Sequence, residues 1–553
     1  MVRIPRVCAV ILAYSIKKIA ETFDRIYVYG VLFKSQVVYG LIPNIKERRN
    51  KFMNYNSTRN KNTVVSASQA IAQGISNEGG LFVPQSLPKY SLDEIKALCE
   101  LDYRGRAKKI MGDFLSDFTA EEINESVDSA YTFEKFGSDN PSPISYIESR
   151  ESKMAVLELW HGPTCAFKDM ALQILPHLLT KSVKKAYNGK EAVILVATSG
   201  DTGKAALEGF KDVDGVKIMV FYPVDGVSSM QKRQMATQKG NNVSVVAIKG
   251  NFDDAQTGVK KIFTNNDIKE KLAENNMLFS SANSINWGRL LPQIVYYFSA
   301  YCDMVNEGKI NAGDNVNVAV PTGNFGNILA SFYAMNMGLA VKKFICASNS
   351  NNVLTDFIKT GTYDKMRKFY TTMSPSMDIL VSSNLERLLY HLTGENDIKV
   401  AELMKALSSE GKYTVDNDVK AQLDKYFWGG FCDDENTQKT IKDLYENENY
   451  LCDTHTAVAV NVYQQYVSET GDTTPVILAS TASPYKFAQS VLTAITDEKL
   501  PEDEFAMVDE LSAKTKTAIP APLAVLKNAE VRFTFECEVD EMPKTVLDSL
   551  SIK

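Results

Sequence analysis

The sequence predicts a parallel α/β protein of more than one domain, and three observations carry that prediction. Compact apolar strands alternate with helical stretches through residues 150–350. Several of these strands run into short loops rich in Gly, Ser, Thr and Asn, where an open parallel sheet gathers its ligand-binding groups. The chain, at 553 residues, is longer than one hydrophobic core fills, so two or three domains are expected.

Residues 1–52 differ from the rest, with ten Lys/Arg against Glu21, Asp24 and Glu47, and no run approaching the ~20 apolar residues of a membrane span. They read either as a basic transit peptide or as an artefact of translation-start assignment, with Met53 the true start. The acidic residues and Tyr27-Val28-Tyr29 fit a transit peptide poorly and favour the second reading.

Residues 53–150 carry helical patterns at Ser66–Gly74, Leu92–Leu101 and Tyr103–Leu115, with turns at Asn77–Gly80 and Pro84; a structural role is the default. Residues 151–384 form the α/β region. Met154–Trp160 is a strand stopped by Gly162-Pro163, after which Lys168 opens an apolar helix, Met170–Leu179. Ala192–Ala197 is a strand leading into the loop Thr198–Gly203 and a helix from Lys204. Val216–Tyr222 and Val243–Ile248 are strands, Val316–Val320 another, followed by the loop Pro321–Asn327 and the helix Ile328–Met337; Phe344–Ala347 closes the group. Residues 385–450 lose the strand rhythm and read as an all-helical insertion. In 451–553 the strand–loop–helix pattern returns once, at Val476–Ala479, the loop Ser480–Pro484 and a helix from Lys486.

Composition excludes several functions. A net charge of −6 argues against nucleic acid or an anionic membrane as partner, while leaving room for a local basic pocket. Eight cysteines form no C-x-x-C pair and only four histidines exist, so neither a disulfide framework nor a metal site is indicated, which fits a reducing compartment.

The loops carry the chemistry. Phe167 and the apolar run behind it hold Lys168 against a partly dry surface; desolvation lowers a lysine's proton affinity, and a neutral amine forms Schiff bases or acts as a base. Gly323-Asn-Phe-Gly-Asn327 opens a helix, where free N–H groups and the helix dipole suit a phosphate. Thr198–Gly203 is not a nucleotide P-loop: its earlier glycine would fall at Thr198, and Ala205 stands where Ser or Thr should bind magnesium. Ser199, Thr202 and Gly203 can instead hold a carboxylate, and the Thr481 hydroxyl can face a heteroaromatic nitrogen. An amine, a phosphate cradle, a carboxylate cradle and a hydroxyl at a sheet edge together suggest pyridoxal phosphate acting on an amino acid.

His161-Gly-Pro-Thr-Cys-Ala-Phe-Lys-Asp169 closely resembles the lysine motif of the threonine synthase family. Asn56–Arg59, Gly79–Pro84, Thr198–Gly203, Asn283–Arg289, Gly323–Asn327 and Thr481–Phe487 resemble the same family in its order, from Met53 to the C-terminus. The long N-terminal domain and the insertion resemble its fungal and proteobacterial branch. The resemblance implies a fold-type II, tryptophan synthase β-like enzyme with pyridoxal 5'-phosphate. It would convert O-phospho-L-homoserine and water into L-threonine and phosphate. Lys168 would bond the cofactor and shuttle protons; Gly323, Asn324, Phe325 and Asn327 would hold its phosphate; Thr481 would meet its ring nitrogen. Ser199, Asp201 and Thr202 would lie at the substrate carboxylate, and Ser284, Asn286 and Arg289 at the substrate phosphate. A cytoplasmic monomer or weak dimer is expected. Ser483 stands where bacterial relatives often have His, so any role of that imidazole is absent. The rival readings are a phospho-lyase releasing 2-oxobutyrate and a non-catalytic homologue kept for binding.

Overall fold

The computed structural model describes residues 52–148, 153–198, 200–224 and 227–552. Two sheets organise them. The first has six strands in the order Phe427–Phe431, Val341–Ser348, Val316–Pro321, Val476–Ser480, Lys153–Glu158, Ile144–Glu148, all parallel except the last. Its inner strands Val316–Pro321 and Val476–Ser480 are buried along their whole length, which is why they read as near-continuous apolar runs rather than alternating ones. The second sheet is parallel throughout, in the order Glu536–Cys537, Val243–Ile248, Val216–Pro223, Glu191–Ala197, Met277–Ser280.

The helix Trp287–Asn306 is buried on every side through most of its length. A helix apolar all round belongs in a core, and this one packs against the helices Leu92–Cys99, Tyr103–Phe114, Asp169–Leu172 and Gly326–Met337. It thereby joins the N-terminal segment to the α/β region. Trp287 at its start meets Tyr55 and Tyr333 edge-on, with centroids 5.4 and 5.6 Å apart. An antiparallel ribbon of Asn60–Ser66, Asn54–Ser57 and Phe82–Pro84 covers this end. Its turn docks on the helix Leu385–Leu392: the Arg59 guanidinium makes a forked pair with Glu386 at 2.7 and 2.8 Å, and the Thr58 hydroxyl donates to the same carboxylate at 2.5 Å.

The structure departs from the sequence reading in several places, among them Pro84, expected in a turn, which ends the strand Phe82–Pro84. The helix expected over Met170–Leu179 is two pieces, Asp169–Leu172 and Leu175–Ala186, because Pro176 fits the first turn of a new helix and not the interior of an old one. The segment 385–450 is not all helical. Phe427–Phe431 is the edge strand of the first sheet, parallel to Val341–Ser348, and Lys412–Thr414 pairs antiparallel with Thr362–Asp364. A five-residue Phe-Trp-Gly-Gly-Phe strand has no visible period, and its partner lies some 80 residues earlier. The two readings of the N-terminal stretch lie outside the described residues apart from Phe52. Among the described residues no helix is long and apolar enough to cross a membrane.

Candidate active site

Three neighbouring parallel strands, Val316–Pro321, Val476–Ser480 and Lys153–Glu158, end at one edge of the first sheet. Their following loops therefore meet. The loop after Lys153–Glu158 is zipped to the loop after Val476–Ser480: Leu159 N donates to Ser480 O (3.0 Å), Phe167 N to Thr481 O (2.8 Å) and Ser483 N to Cys165 O (3.1 Å). Cys165 sits at φ +56°, a left-handed conformation that costs a non-glycine residue and persists because these bonds over-determine it. Asp169 is fully buried and accepts the Thr164 N–H at 2.8 Å and the Thr164 hydroxyl at 2.7 Å; burial pushes its carboxyl up to about 6. The turn so formed holds Lys168 at the start of Asp169–Leu172.

The Lys168 amine lies 5.0 Å from the Phe167 ring centroid, 3.7 Å from Asp201 Oδ2 and 3.5 Å from the Ser376 hydroxyl. Burial lowers its proton affinity below that of an ordinary lysine. Asp201 pulls it back, while Lys486 and Arg289 push it further down. Asp201 opens the helix Asp201–Phe210 after a strand of the second sheet, so this contact joins the ends of both sheets. Burial alone would raise the Asp201 carboxyl, but the ammonium groups of Lys486 and then Lys168 outweigh it and hold it below the usual carboxylate range.

The loop Gly323–Asn327 presents a run of donors. None of its five backbone N–H groups, nor the Asn327 side-chain amide nitrogen, finds an acceptor among the described residues. Phe325 is held at φ +64°, a second left-handed non-glycine residue, and its buried ring stands 5.9 Å from that of Phe427. The Asn327 carbonyl oxygen accepts the Tyr297 hydroxyl, which leaves Nδ2 as an orphan donor. Asn327 Nδ2 is a buried donor without an acceptor, which is rare in folded proteins, and beside the free N–H groups of a helix N-terminus it fits a phosphate. Thr481 is buried at the end of its strand, and its hydroxyl has no protein partner among the described residues. These donors, the dry amine and the neutral hydroxyl fit a phosphorylated aromatic aldehyde.

The residues expected at the substrate divide. Arg289 is buried, with Nη1 on Ala282 O at 2.7 Å and no partner for Nε among the described residues; burial lowers it to about 10. Ser284 meets Ser383 Oγ at 3.4 Å, and Ser383 in turn donates to Asn324 Oδ1 at 3.2 Å, so the two loops adjoin. Asn286 departs from the expectation that it faces a phosphate. Its amide donates to Ile71 O and Ser281 O and accepts from Gly288 N, capping Trp287–Asn306 and leaving no donor over. Asp201 likewise faces two lysines, and a carboxylate there would repel a substrate carboxylate. Thr202 is half-buried beside it, and Ser199 lies outside the described residues.

Sequence reasoning missed several groups. Lys486 reaches Asp201 Oδ1 at 2.5 Å; it lay inside Thr481–Phe487 but carries no pattern of its own. Ser376 N donates to His455 Nε2 at 3.2 Å, and His455 Nδ1 faces Asp453 Oδ2 at 2.7 Å, so the proton sits on Nδ1. Ser382 and Asn384 bind the carbonyls of Gly323 and Asn324. Nothing in a Ser-Ser-Asn run announces that use.

A family model for pyridoxal-phosphate dependent enzymes matches residues 148–481, and models for the threonine synthase N terminus and the threonine synthase C-terminal part match residues 54–131 and 456–540. The chain is similar to threonine synthase of Pseudomonas aeruginosa, 38% identical over 439 residues that cover 79% of this chain and 90% of that one. It is 39% identical to human threonine synthase-like 1 over 494 residues, 87% of this chain. It spans only 65% of that relative's length. The crystal structure of PLP-bound threonine synthase from Brucella melitensis matches with a TM-score of 0.79 at 33% identity, covering 90% of this chain and 99% of that one. Fold and family match together place the chain in the fold-type II class of pyridoxal-phosphate dependent enzymes. Within that class, the chain belongs to the threonine synthase family.

Proposed function

We propose that this chain converts O-phospho-L-homoserine and water into L-threonine and phosphate, as a carbon–oxygen lyase acting on phosphate in the last step of threonine biosynthesis. One observation carries the reading: a dry amine, Lys168, and the unfilled N–H run of Gly323–Asn327 both border Ser376, and the Arg289 guanidinium, with Nε open, acts on the same amine. Two phosphates, one of the cofactor and one of the substrate, match these two sets of donors.

Pyridoxal phosphate, when bound, supplies the electron sink that makes the Cα and then the Cβ protons of an amino acid removable. Gly323, Asn324, Phe325 and Asn327 would hold its phosphate through the N–H run and the Asn327 amide, and Thr481 would set a neutral hydroxyl at its ring nitrogen. Lys168 takes the Cα proton and gives it back once water has added at Cβ; a positioned base of this kind contributes ~10²–10⁴-fold. Its lowered proton affinity suits that work near neutral pH. Arg289 and Ser284 hold the leaving phosphate, the free Nε adding a charge-assisted bond. Thr202, in the first turn of Asp201–Phe210, would receive the substrate carboxylate, with Ser199 as the motif implies. Asp201 serves as counter-charge to the lysines, and Asn286 fixes the loop that carries Ser284. The enzyme would work in the cytoplasm on a small molecule, as a monomer or weak dimer, without nucleic acid or membrane.

The test is product stoichiometry with O-phosphohomoserine. Threonine and phosphate in equal amounts support the proposal. Phosphate with 2-oxobutyrate would replace it by the lyase reading, and no turnover by a binding role.

A further inference from the structure

Lys486 is a buried charge that the chemistry above leaves unused. Its side chain is 1% exposed, on the single helical turn Pro484–Phe487 that follows Thr481. Packing does not call for it: an apolar side chain would fill the space without taking a charge out of water. Its ammonium donates to Asp201 Oδ1 at 2.5 Å and to the Thr164 carbonyl at 3.1 Å. The Gln231 amide also reaches Oδ1, at 3.2 Å, and Asp201 Oδ2 lies 3.7 Å from the Lys168 amine. One carboxylate thus stands between two buried lysines.

A carboxylate beside an amine strengthens the amine's hold on its proton. A cofactor lysine needs the opposite, because only the neutral amine attacks a carbonyl or accepts a proton from carbon. We propose that Lys486 is a positioning residue for Lys168: it clamps Asp201 to the lysine loop through Thr164 and takes up the carboxylate's charge, so that Lys168 sheds its proton with Asp201 still beside it. The charged groups facing Lys168 are Asp201, Lys486, Arg289 and Asp169, and the neutral His455 imidazole also faces Asp201. Of these only the two aspartates favour a protonated Lys168, and Asp169 is engaged by Thr164. The inference rests on Lys168 being the cofactor lysine and is indifferent to which product is released.

The readout is the pH midpoint at which the Lys168 nitrogen of the holoenzyme loses its proton, taken from the absorption spectrum, with a melting curve beside it. Lys486→Met is expected to raise the midpoint by about one pH unit, a tenfold change in proton affinity. Lys486→Arg keeps the charge and stays near wild type. Asp201→Asn leaves Lys486 unopposed and moves the midpoint down. A folded Lys486→Met enzyme with an unmoved midpoint overturns the proposal. Should that variant not fold, an Asp201→Asn midpoint that stays or rises overturns it equally. A wild-type holoenzyme lacking the lysine–cofactor band would instead remove the functional reading itself.

Discussion

Gly323→Ala tests how tightly the phosphate loop is fitted. A Cβ at Gly323 would lie 2.8 Å from the Ser376 carbonyl oxygen and 3.4 Å from Met377 Cα, some 0.6 Å inside ordinary contact with the first. The obstacle is backbone, and both sides are anchored. Ser376 N is held by His455, the Ser374 carbonyl by Asn349, and the Gly323 carbonyl by Ser382. Relief therefore requires loop or turn to shift, and overpacking of this kind costs about 1–3 kcal/mol. The loop that shifts carries the phosphate donors, so the cost falls on cofactor affinity, a loss of about 5- to 150-fold. Equilibrium absorbance titration with pyridoxal phosphate measures it. Gly326→Ala is the control: its Cβ would meet only the Asn384 and Gln293 amide nitrogens at 3.5 and 3.6 Å, and the cofactor-free protein should melt like wild type. Wild-type cofactor affinity and melting in Gly323→Ala would refute the reasoning.

Arg289→Met should lower kcat/KM for the phosphorylated substrate by about 10- to 100-fold, the worth of one or two charged hydrogen bonds, with the cofactor spectrum intact; lost cofactor binding would contradict the assignment. Burial, and then the Arg387 charge, depress His391 from 6.5 to about 4, and its Nε2 meets the Tyr333 hydroxyl at 2.9 Å. The unfolded imidazole takes up its proton first as pH falls, so this residue's stabilisation is complete above about 6.5 and is lost by about pH 4, roughly 3 kcal/mol. Urea midpoints of wild type and His391→Gln across that window should converge on acidification. Burial pushes the Cys165 thiol up to about 12, so iodoacetamide at pH 8 should leave it unlabelled by mass spectrometry although it lies three residues from Lys168. Glu386→Ala strips the partner from Arg59 and Thr58 and should lower the denaturation midpoint by an amount worth about 3 kcal/mol; a change below about 1 kcal/mol would show that the ribbon docks by its apolar contacts alone.

The sheet was legible because parallel strands buried on both faces leave compact apolar runs, as at Val193–Val196 and Val476–Ala479, and because glycine-bearing loops mark their ends. Lys168, Asn327 and Arg289 stood out through their motifs, and the structure gives Lys168 a dry amine and leaves Asn327 Nδ2 and Arg289 Nε without partners among the described residues. Asn286 sat in a motif too, but motif membership does not separate a helix cap from a ligand, and its amide proved committed to Ile71 and Ser281. Lys486, Ser376 and Ser383 were illegible because their use depends on neighbours far along the chain: Asp201 for Lys486, Lys168 for Ser376, Ser284 and Asn324 for Ser383. The edge strand Phe427–Phe431 was hidden for the same reason.

The most direct test is to trap the cofactor where it is bonded. The holoenzyme is reduced with borohydride, digested, and the peptide carrying the cofactor mass is sequenced. The account predicts the added mass on Lys168 alone, and its loss in Lys168→Ala. Cofactor on Lys486 or Lys204, both buried lysines, or none on any lysine, would contradict it.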